Sequence, residues 1–228
     1  RHPAFVCERG ALQMKSLLLK DLYNISYNAK AMLLIMVIMT AAVVPTAGAI
    51  PEMAGFTILC AMMEVTTFNF DETSGWTAYA LVLPLRRNDI VRAKFAVLAI
   101  FCTVGVLLGL AVSGAAAFLM GGRLPEENGP LVLLAAVPVL WAIAFAMGST
   151  SIPLAFRFGA ENARVLIVVA FVVPMVIFVG LAGALSMAGV TLSNGQAIAL
   201  FCASPLAALA WGAAMYRLSC GIFAKTEW

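Results

Sequence analysis

Charged residues are scarce in this chain of 228 residues. Only 11% of its residues are Asp, Glu, Lys or Arg, whereas 63% are hydrophobic, and the mean hydropathy is +1.01. A soluble domain is typically about 45–50% apolar and about 25% charged. Apolar runs of roughly 20 residues, the length that crosses a bilayer as a helix, recur along the whole sequence. The composition therefore predicts an all-α, polytopic membrane protein with no separate soluble domain.

The sequence has a single histidine and lacks the common hydrolase motifs. The only histidine is His2, and the sequence contains no Gly-x-Ser-x-Gly pattern. These gaps argue against a Ser-His protease, a haem protein and a histidine-ligated metal site. No Gly-Lys-Ser or Gly-Lys-Thr occurs either, so the chain has no P-loop and does not hydrolyse ATP by that route. We therefore predict no catalytic residue, no metal site and no enzymatic activity in this chain.

Cysteine and net charge exclude two further classes. None of the five cysteines forms a Cys-x-x-Cys pair, and three of them lie inside apolar runs, where cysteine usually acts as a small packing residue. We expect neither a disulfide nor a bound metal. The net charge of +3 is too small to indicate a nucleic-acid partner.

The apolar runs predict six transmembrane helices. They cover residues 31–50, 52–70, 94–120, 130–156, 164–190 and 197–218. We expect Pro51 to close the first span. Residues 1–13 differ from the rest and are expected to be an upstream leader before a native start at Met14, so that residues 14–228 form a single transmembrane domain.

The segment before the first span has its own pattern. Leu18, Leu22 and Ile25 recur at helical spacing, with Lys20 and Asp21 between them. This pattern predicts an amphipathic helix that lies in the membrane interface. The alternative is a simple extension of the first span.

Basic residues fall almost entirely on one side of the predicted spans. The opposite side receives only Arg123. Because cytoplasmic loops are enriched in Lys and Arg, we expect both termini and the loop after the second span to be cytoplasmic. The residues of the basic side are Lys15, Lys20, Lys30, Arg86, Arg87, Arg92, Lys94, Arg157, Arg164, Arg217 and Lys225.

Two features inside the spans indicate contacts. Small residues recur every four positions in the third span, at Gly105, Gly109, Ser113 and Ala117, which favours close helix packing within one chain, with a dimer seam as the alternative. Glu64 is an acid well inside the second span. An ionisable residue there is a functional candidate, lining a pathway or a subunit seam. The alternatives place Glu64 near the headgroups or beside a nearby base.

The stretch "FNFDETSGWTAYALVLPLRRNDIVRAKF" interrupts the apolar runs with charges and aromatics. Trp76, Tyr79 and Leu83 fall on one face of a predicted short helix. The acids Asp71 and Glu72 favour its N-terminal end, where the helix dipole is positive, and Pro84 ends it. The residue pattern alone leaves two interpretations open. The helix lies on lipid, or it docks on a soluble partner.

This stretch resembles the signature of ABC-2-type permeases, the membrane subunits of ATP-binding-cassette exporters. A second stretch, "IPLAFRFGAENAR" at residues 152–164, is similar to the motif of one branch of that family, and "LLLKDLYNI" resembles its N-terminal interfacial helix. The matching residues in the first stretch are Asp71, Glu72, Trp76, Tyr79, Leu83, Pro84, Arg87, Ile90, Val91 and Lys94. Leu85 and Arg86 depart from the family pattern, in which a small or hydroxyl residue is common.

The resemblance implies that the transport pathway and the ATPase belong to different subunits. Two permease copies, identical or paralogous, would enclose a pathway in a bacterial cytoplasmic membrane. Separate ATPase subunits would bind ATP and Mg²⁺, so this chain itself would need no cofactor. Residues 71–87, here named the coupling segment, would dock on the ATPase through Asp71, Glu72, Trp76, Tyr79, Leu83, Pro84, Arg86 and Arg87. The branch resembles exporters of amphipathic peptides and antimicrobials, and the expected substrate is an amphipathic peptide or a lipid-like molecule.

Two other classes remain open on sequence grounds. One is the membrane substrate-binding subunit of a vitamin importer, which also has six spans and no P-loop. The other is an ion-coupled carrier that works alone, for which Glu64 is the only evident coupling acid. A directly bound ATPase separates the permease from both.

Overall fold

Long helices build the whole of the described structure. The computed structural model describes residues 3–76, 79, 87–119, 129–159, 168–170, 172–173, 176–177, 180 and 194–225. Its five long helices are α1 (Pro3–Ala47), α2 (Ala49–Thr73), α3 (Arg87–Leu119), α4 (Gly129–Phe158) and α5 (Asn194–Lys225). The described residues contain no strand, and the predicted all-α class is confirmed.

Each of the five helices contains a segment long and apolar enough to cross a membrane. These segments are Lys30–Ala47, Ala49–Thr73, Asn88–Ala116, Val132–Phe158 and Cys202–Phe223. They correspond to five of the six predicted spans. The remaining prediction, at residues 164–190, falls mostly outside the described residues, and the positions described between 168 and 180 are helical. The count of six therefore stays a prediction.

The separate interfacial helix is corrected by the structure. Residues 14–30 are helical, but they continue without a break into the first span as part of the 45-residue α1. Neither glycine nor proline occurs between residues 14 and 44, so nothing in the backbone forces the helix to end there. Leu17 and Ile25 are buried, whereas Leu22 is exposed, so the face that packs inward is shifted from the predicted one.

The boundary between the first two spans is also corrected. The chain turns at Gly48, which has φ 93°, and not at Pro51. A positive φ of this kind is easily adopted only by glycine. Pro51 instead lies in the first turn of α2, where a missing N–H costs no helical hydrogen bond.

Small residues bring α2 and α3 into close contact. A Cβ added at Gly105 would lie 2.7 Å from the Cβ of Cys60, and one added at Gly109 would lie 3.0 Å from the Cα of Met53. Ser113 donates a hydrogen bond to the carbonyl of Ala49 at 3.3 Å. These contacts confirm that the stripe packs within one chain. The side chain of Ala117, its fourth member, lies outside the described residues.

Aromatic contacts join the same ends of α2, α4 and α5. The ring of Phe156 lies 5.1 Å from that of Phe68 and 4.9 Å from that of Phe223, measured between centroids. Arg92, near the start of α3, donates a hydrogen bond of 3.1 Å to the hydroxyl of Tyr216 on α5. These contacts link the start of α3 with the ends of α2, α4 and α5.

Candidate functional site

Four charged side chains form a closed ring between α1, α2 and α3. Asp71 on α2 pairs with Lys20 of α1 through one carboxylate oxygen and with Lys94 of α3 through the other, at 2.7 Å. Asp21 on α1 also contacts both bases, with 3.1 Å to each ammonium. Positive and negative groups alternate around this ion-pair ring, and the two acids balance the two bases.

Lys94 is the most heavily used member of the ring. Its ammonium has three N–H donors, and besides the two aspartates it donates a 2.9 Å hydrogen bond to the hydroxyl of Thr67. The ammonium also lies 4.8 Å from the ring centroid of Phe68, a cation–π distance. Its donors are therefore committed to partners on α1 and α2.

The ring is largely withdrawn from solvent. Asp21, Asp71 and Lys94 are only 2%, 6% and 3% exposed, respectively. Charges in such surroundings are tolerated when they are paired and hydrogen-bonded, and removing one partner leaves an uncompensated charge. The ring therefore fixes three helices relative to one another at the end of α2, where the coupling segment begins.

The ring was missed by sequence reasoning, although a signal for it exists. Asp21 lies four residues from the buried Leu17 and four from the buried Ile25. Lys94 lies three residues after the buried Val91 and four before the buried Leu98. A charge at helical spacing within an apolar face is expected to be buried, and to require a partner.

Glu64 lies deeper on the same face of α2. Its side chain is fully buried among helices of its own chain, and neither carboxyl oxygen has a hydrogen-bond partner. Thr67, three residues further along this face, accepts the hydrogen bond from Lys94. Glu64 thus does not face lipid, and its predicted place in a pathway or seam stays a prediction.

The two described aromatics of the coupling segment have different surroundings. Trp76 packs against the apolar cluster that contains Phe68. The ammonium of Lys20 lies over the Trp76 ring, 4.6 Å from the ring centroid. Tyr79 is helical, its amide bonds to the carbonyl of Gly75, and its side chain is 59% exposed. Tyr79 is therefore the more accessible candidate for an intermolecular contact.

The other predicted coupling residues divide into three groups. Asp71 belongs to the ion-pair ring and is not part of an accessible surface. Glu72 is exposed and reaches Gly159 at the end of α4, where an added Cβ would lie 3.0 Å from a carboxylate oxygen. Arg87 begins α3. Leu83, Pro84 and Arg86 lie outside the described residues.

The contact at Gly159 brings together the two sequence stretches that carry the resemblance. Gly159 has φ 73°, which favours glycine, and its amide bonds to the carbonyl of Ala155 at 3.0 Å. Gly159, within the stretch at residues 152–164, therefore lies beside Glu72 at the start of the coupling segment. This adjacency is a property of the fold and not of sequence order.

The comparison with protein families agrees with this geometry. The family model described as "ABC-2 family transporter protein" matches residues 16–224. The chain belongs to the ABC-2 transporter family. No curated protein and no solved structure matches it.

Membership identifies the chain as an ABC transporter permease, a membrane transport subunit that is not itself catalytic. The match includes parts of all five described helices, from Ser16 in α1 to Ala224 in α5, and all four members of the ion-pair ring. The importer subunit and the lone carrier are therefore disfavoured relative to the ABC-2 permease.

Proposed function

We propose that this ABC-2 permease is the membrane subunit of an exporter and is driven by a separate ATPase. Its coupling segment docks on the ATPase and transmits the closure of the ATPase pair to the spans. The observation that carries the proposal is the anchoring of this segment. It begins at an ion-pair ring that holds α1, α2 and α3 together, and it presents Tyr79 outward.

Rigid anchoring is what a mechanical contact requires. A docked helix transmits force only if the end that joins it to the spans is fixed to the elements that must move. Asp71 fixes the end of α2 to α1 and α3, and Trp76 adds a contact with Lys20. In this assignment Asp71 and Trp76 position the segment, while Tyr79 and Leu83 make the contact with the ATPase.

The wider assembly follows from the family and the charge pattern. Two permease copies, identical or paralogous, enclose the pathway in a bacterial cytoplasmic membrane, with both termini on the cytoplasmic side. The partner ATPase binds ATP and Mg²⁺ and performs the phosphoryl transfer. The substrate is an amphipathic peptide or a lipid-like molecule, as in the exporters that the branch resembles.

Truncation of the two proposed anchors tests the docking. Tyr79→Ala combined with Leu83→Ala should weaken binding of the ATPase by about thirtyfold, since buried interface anchors typically cost about 2 kcal/mol or more. The measurement is the ATPase stoichiometry of the purified complex in detergent. Detergent removes the bilayer, so an effect there cannot come from lipid docking of the same helix.

The matched control is a charge at the rim of the same segment. Arg86→Ala should retain the ATPase at low salt and lose part of it at high salt, because rim charges mainly affect association rate and salt dependence. Wild-type stoichiometry in the Tyr79/Leu83 double variant would show that this segment is not the contact. Trp76 is left intact because it also packs inside its own chain.

A further inference from the structure

A row of residues on α2 offers Lys94 more partners than it uses. Glu64, Thr67, Phe68 and Asp71 occupy positions i, i+3, i+4 and i+7, which share one face of a helix. Lys94 contacts the last three: the hydroxyl of Thr67, the ring of Phe68 and the carboxylate of Asp71. Glu64 is the remaining position in the row, and neither of its carboxyl oxygens has a hydrogen-bond partner.

The unpartnered acid is in an unfavourable state. A buried carboxyl group without a hydrogen bond costs free energy that a partner would recover. Lys94 does not supply this partner, since its three donors serve Asp21, Asp71 and Thr67. A second arrangement in which Lys94 serves Glu64 would stabilise that acid at the expense of the ion-pair ring.

We propose that Lys94 is a switch residue that exchanges Asp71 for Glu64 when the permease changes conformation. Asp71 and Glu64 are about 10.5 Å apart along the helix axis at 1.5 Å per residue. Thr67, which Lys94 already contacts, lies about 4.5 Å from Glu64, so Lys94 must move by about one helical turn beyond its present partner. The flexible four-carbon stem of lysine can cover part of this distance. One-turn shifts of this kind occur in other conformational transitions.

The exchange changes how the start of the coupling segment is held by the neighbouring helices. When Lys94 pairs with Asp71, the end of α2 is held to both α1 and α3. When Lys94 pairs with Glu64, Asp71 keeps only Lys20, and the end of α2 is released from α3 but not from α1. The proposal rests on the proposed function only in assigning this release to the transport cycle.

The two arrangements can be separated by a distance measurement on the isolated permease. Thr73, at the end of α2, and Asn88, near the start of α3, are both exposed and accept spin labels in a background whose five cysteines are replaced by alanine. Double electron–electron resonance in detergent, without ATPase or nucleotide, measures the distance between the two labels. A long distance marks the open state, in which the end of α2 is released from α3, and a short distance marks the closed state. The result is therefore independent of whether an ATPase docks.

Paired substitutions identify the role of Glu64. Asp71→Asn should favour the open state, because Lys94 then prefers Glu64. Adding Glu64→Gln should reverse this opening and reduce the open-to-closed ratio by about fivefold or more, a typical coupling between two sites. If opening reflected only the loss of the Asp71 pair, Glu64→Gln would change nothing.

Controls keep the outcome specific to Glu64. Glu52 is a second fully buried acid on α2 and accepts a hydrogen bond from Thr40 at 2.7 Å, so Glu52→Gln added to Asp71→Asn should leave the ratio unchanged. If Asp71→Asn fails to accumulate, Glu64→Gln alone should lower the open-to-closed ratio of the otherwise unchanged protein, and an unchanged ratio would overturn the proposal. A double variant as open as its aspartate parent overturns the proposal.

Discussion

At the scale of single residues, the charges of this chain act mainly on each other. The sequence indicates which residues are ionisable, and helical spacing places Asp21 and Lys94 on buried faces. It does not indicate that Lys20 and Asp71 complete a ring with them. Lys20 and Asp21 are far in the chain from Asp71 and from Lys94, and the four side chains meet only after α1, α2 and α3 pack. The pairing is a tertiary property.

Removing one member of the ring should destabilise the protein strongly. Asp71→Ala leaves the ammonium groups of Lys20 and Lys94 without one of their acids, and breaking a buried pair in this way costs about 3–5 kcal/mol. Thermal unfolding in detergent, followed by intrinsic fluorescence, should show a clear decrease in Tm. The same substitution tests whether the ring is structural in the resting permease.

A surface pair provides the control for that substitution. Asp89 lies 3.8 Å from Arg92, whose side chain is 58% exposed, and solvent-exposed pairs of this kind add little to stability. Asp89→Ala should therefore leave Tm nearly unchanged. Equal losses for the two variants would mean that burial of the ring contributes nothing to stability.

At the scale of helices, the apolar runs predict five described spans, but two boundaries differ. The first boundary moves from Pro51 to Gly48, because a proline in the first turn does not end a helix, whereas a residue at φ 93° does. The interfacial helix fuses with the first span, since its amphipathic pattern gives the face of a helix but not its end. Helix ends depend on local backbone geometry that hydropathy does not encode.

The contact between α2 and α3 gives a prediction at the same scale. Gly105→Ala places a methyl group 2.7 Å from the Cβ of Cys60 and 3.0 Å from the Cα of Thr57, so the two helices must separate. Overpacking of this kind typically costs about 1–3 kcal/mol. Thermal unfolding in detergent should show a lower Tm than that of the wild-type protein.

The same helix provides a comparison outside the stripe. Gly114 lies on the same helix, and an added Cβ there has no atom within 4 Å. Gly114→Ala should be neutral or slightly stabilising, because alanine is the better helix former. If both alanine variants unfolded at the wild-type temperature, the close approach of α2 and α3 at Gly105 would not exist.

At the scale of the whole molecule, family membership and the fold support one account. The chain belongs to the ABC-2 family, and its five long described helices are long and apolar enough to cross a membrane. The ion-pair ring lies where the coupling segment begins. The fold and family could be anticipated from composition and two motifs. The arrangement of the site could not be anticipated. The motifs predict surface contacts, whereas Asp71, one of their acids, is buried in the ion-pair ring.

The direct test is to purify the tagged permease in mild detergent, measure ATP hydrolysis and identify the copurifying chains. The account predicts a P-loop ATPase bound in stoichiometric amount, and hydrolysis that disappears when the P-loop lysine of that partner is replaced. It also predicts that reconstituted vesicles transport substrate only with ATP. A permease that purifies without an ATPase, and moves substrate when only an ion gradient is supplied, would contradict the account.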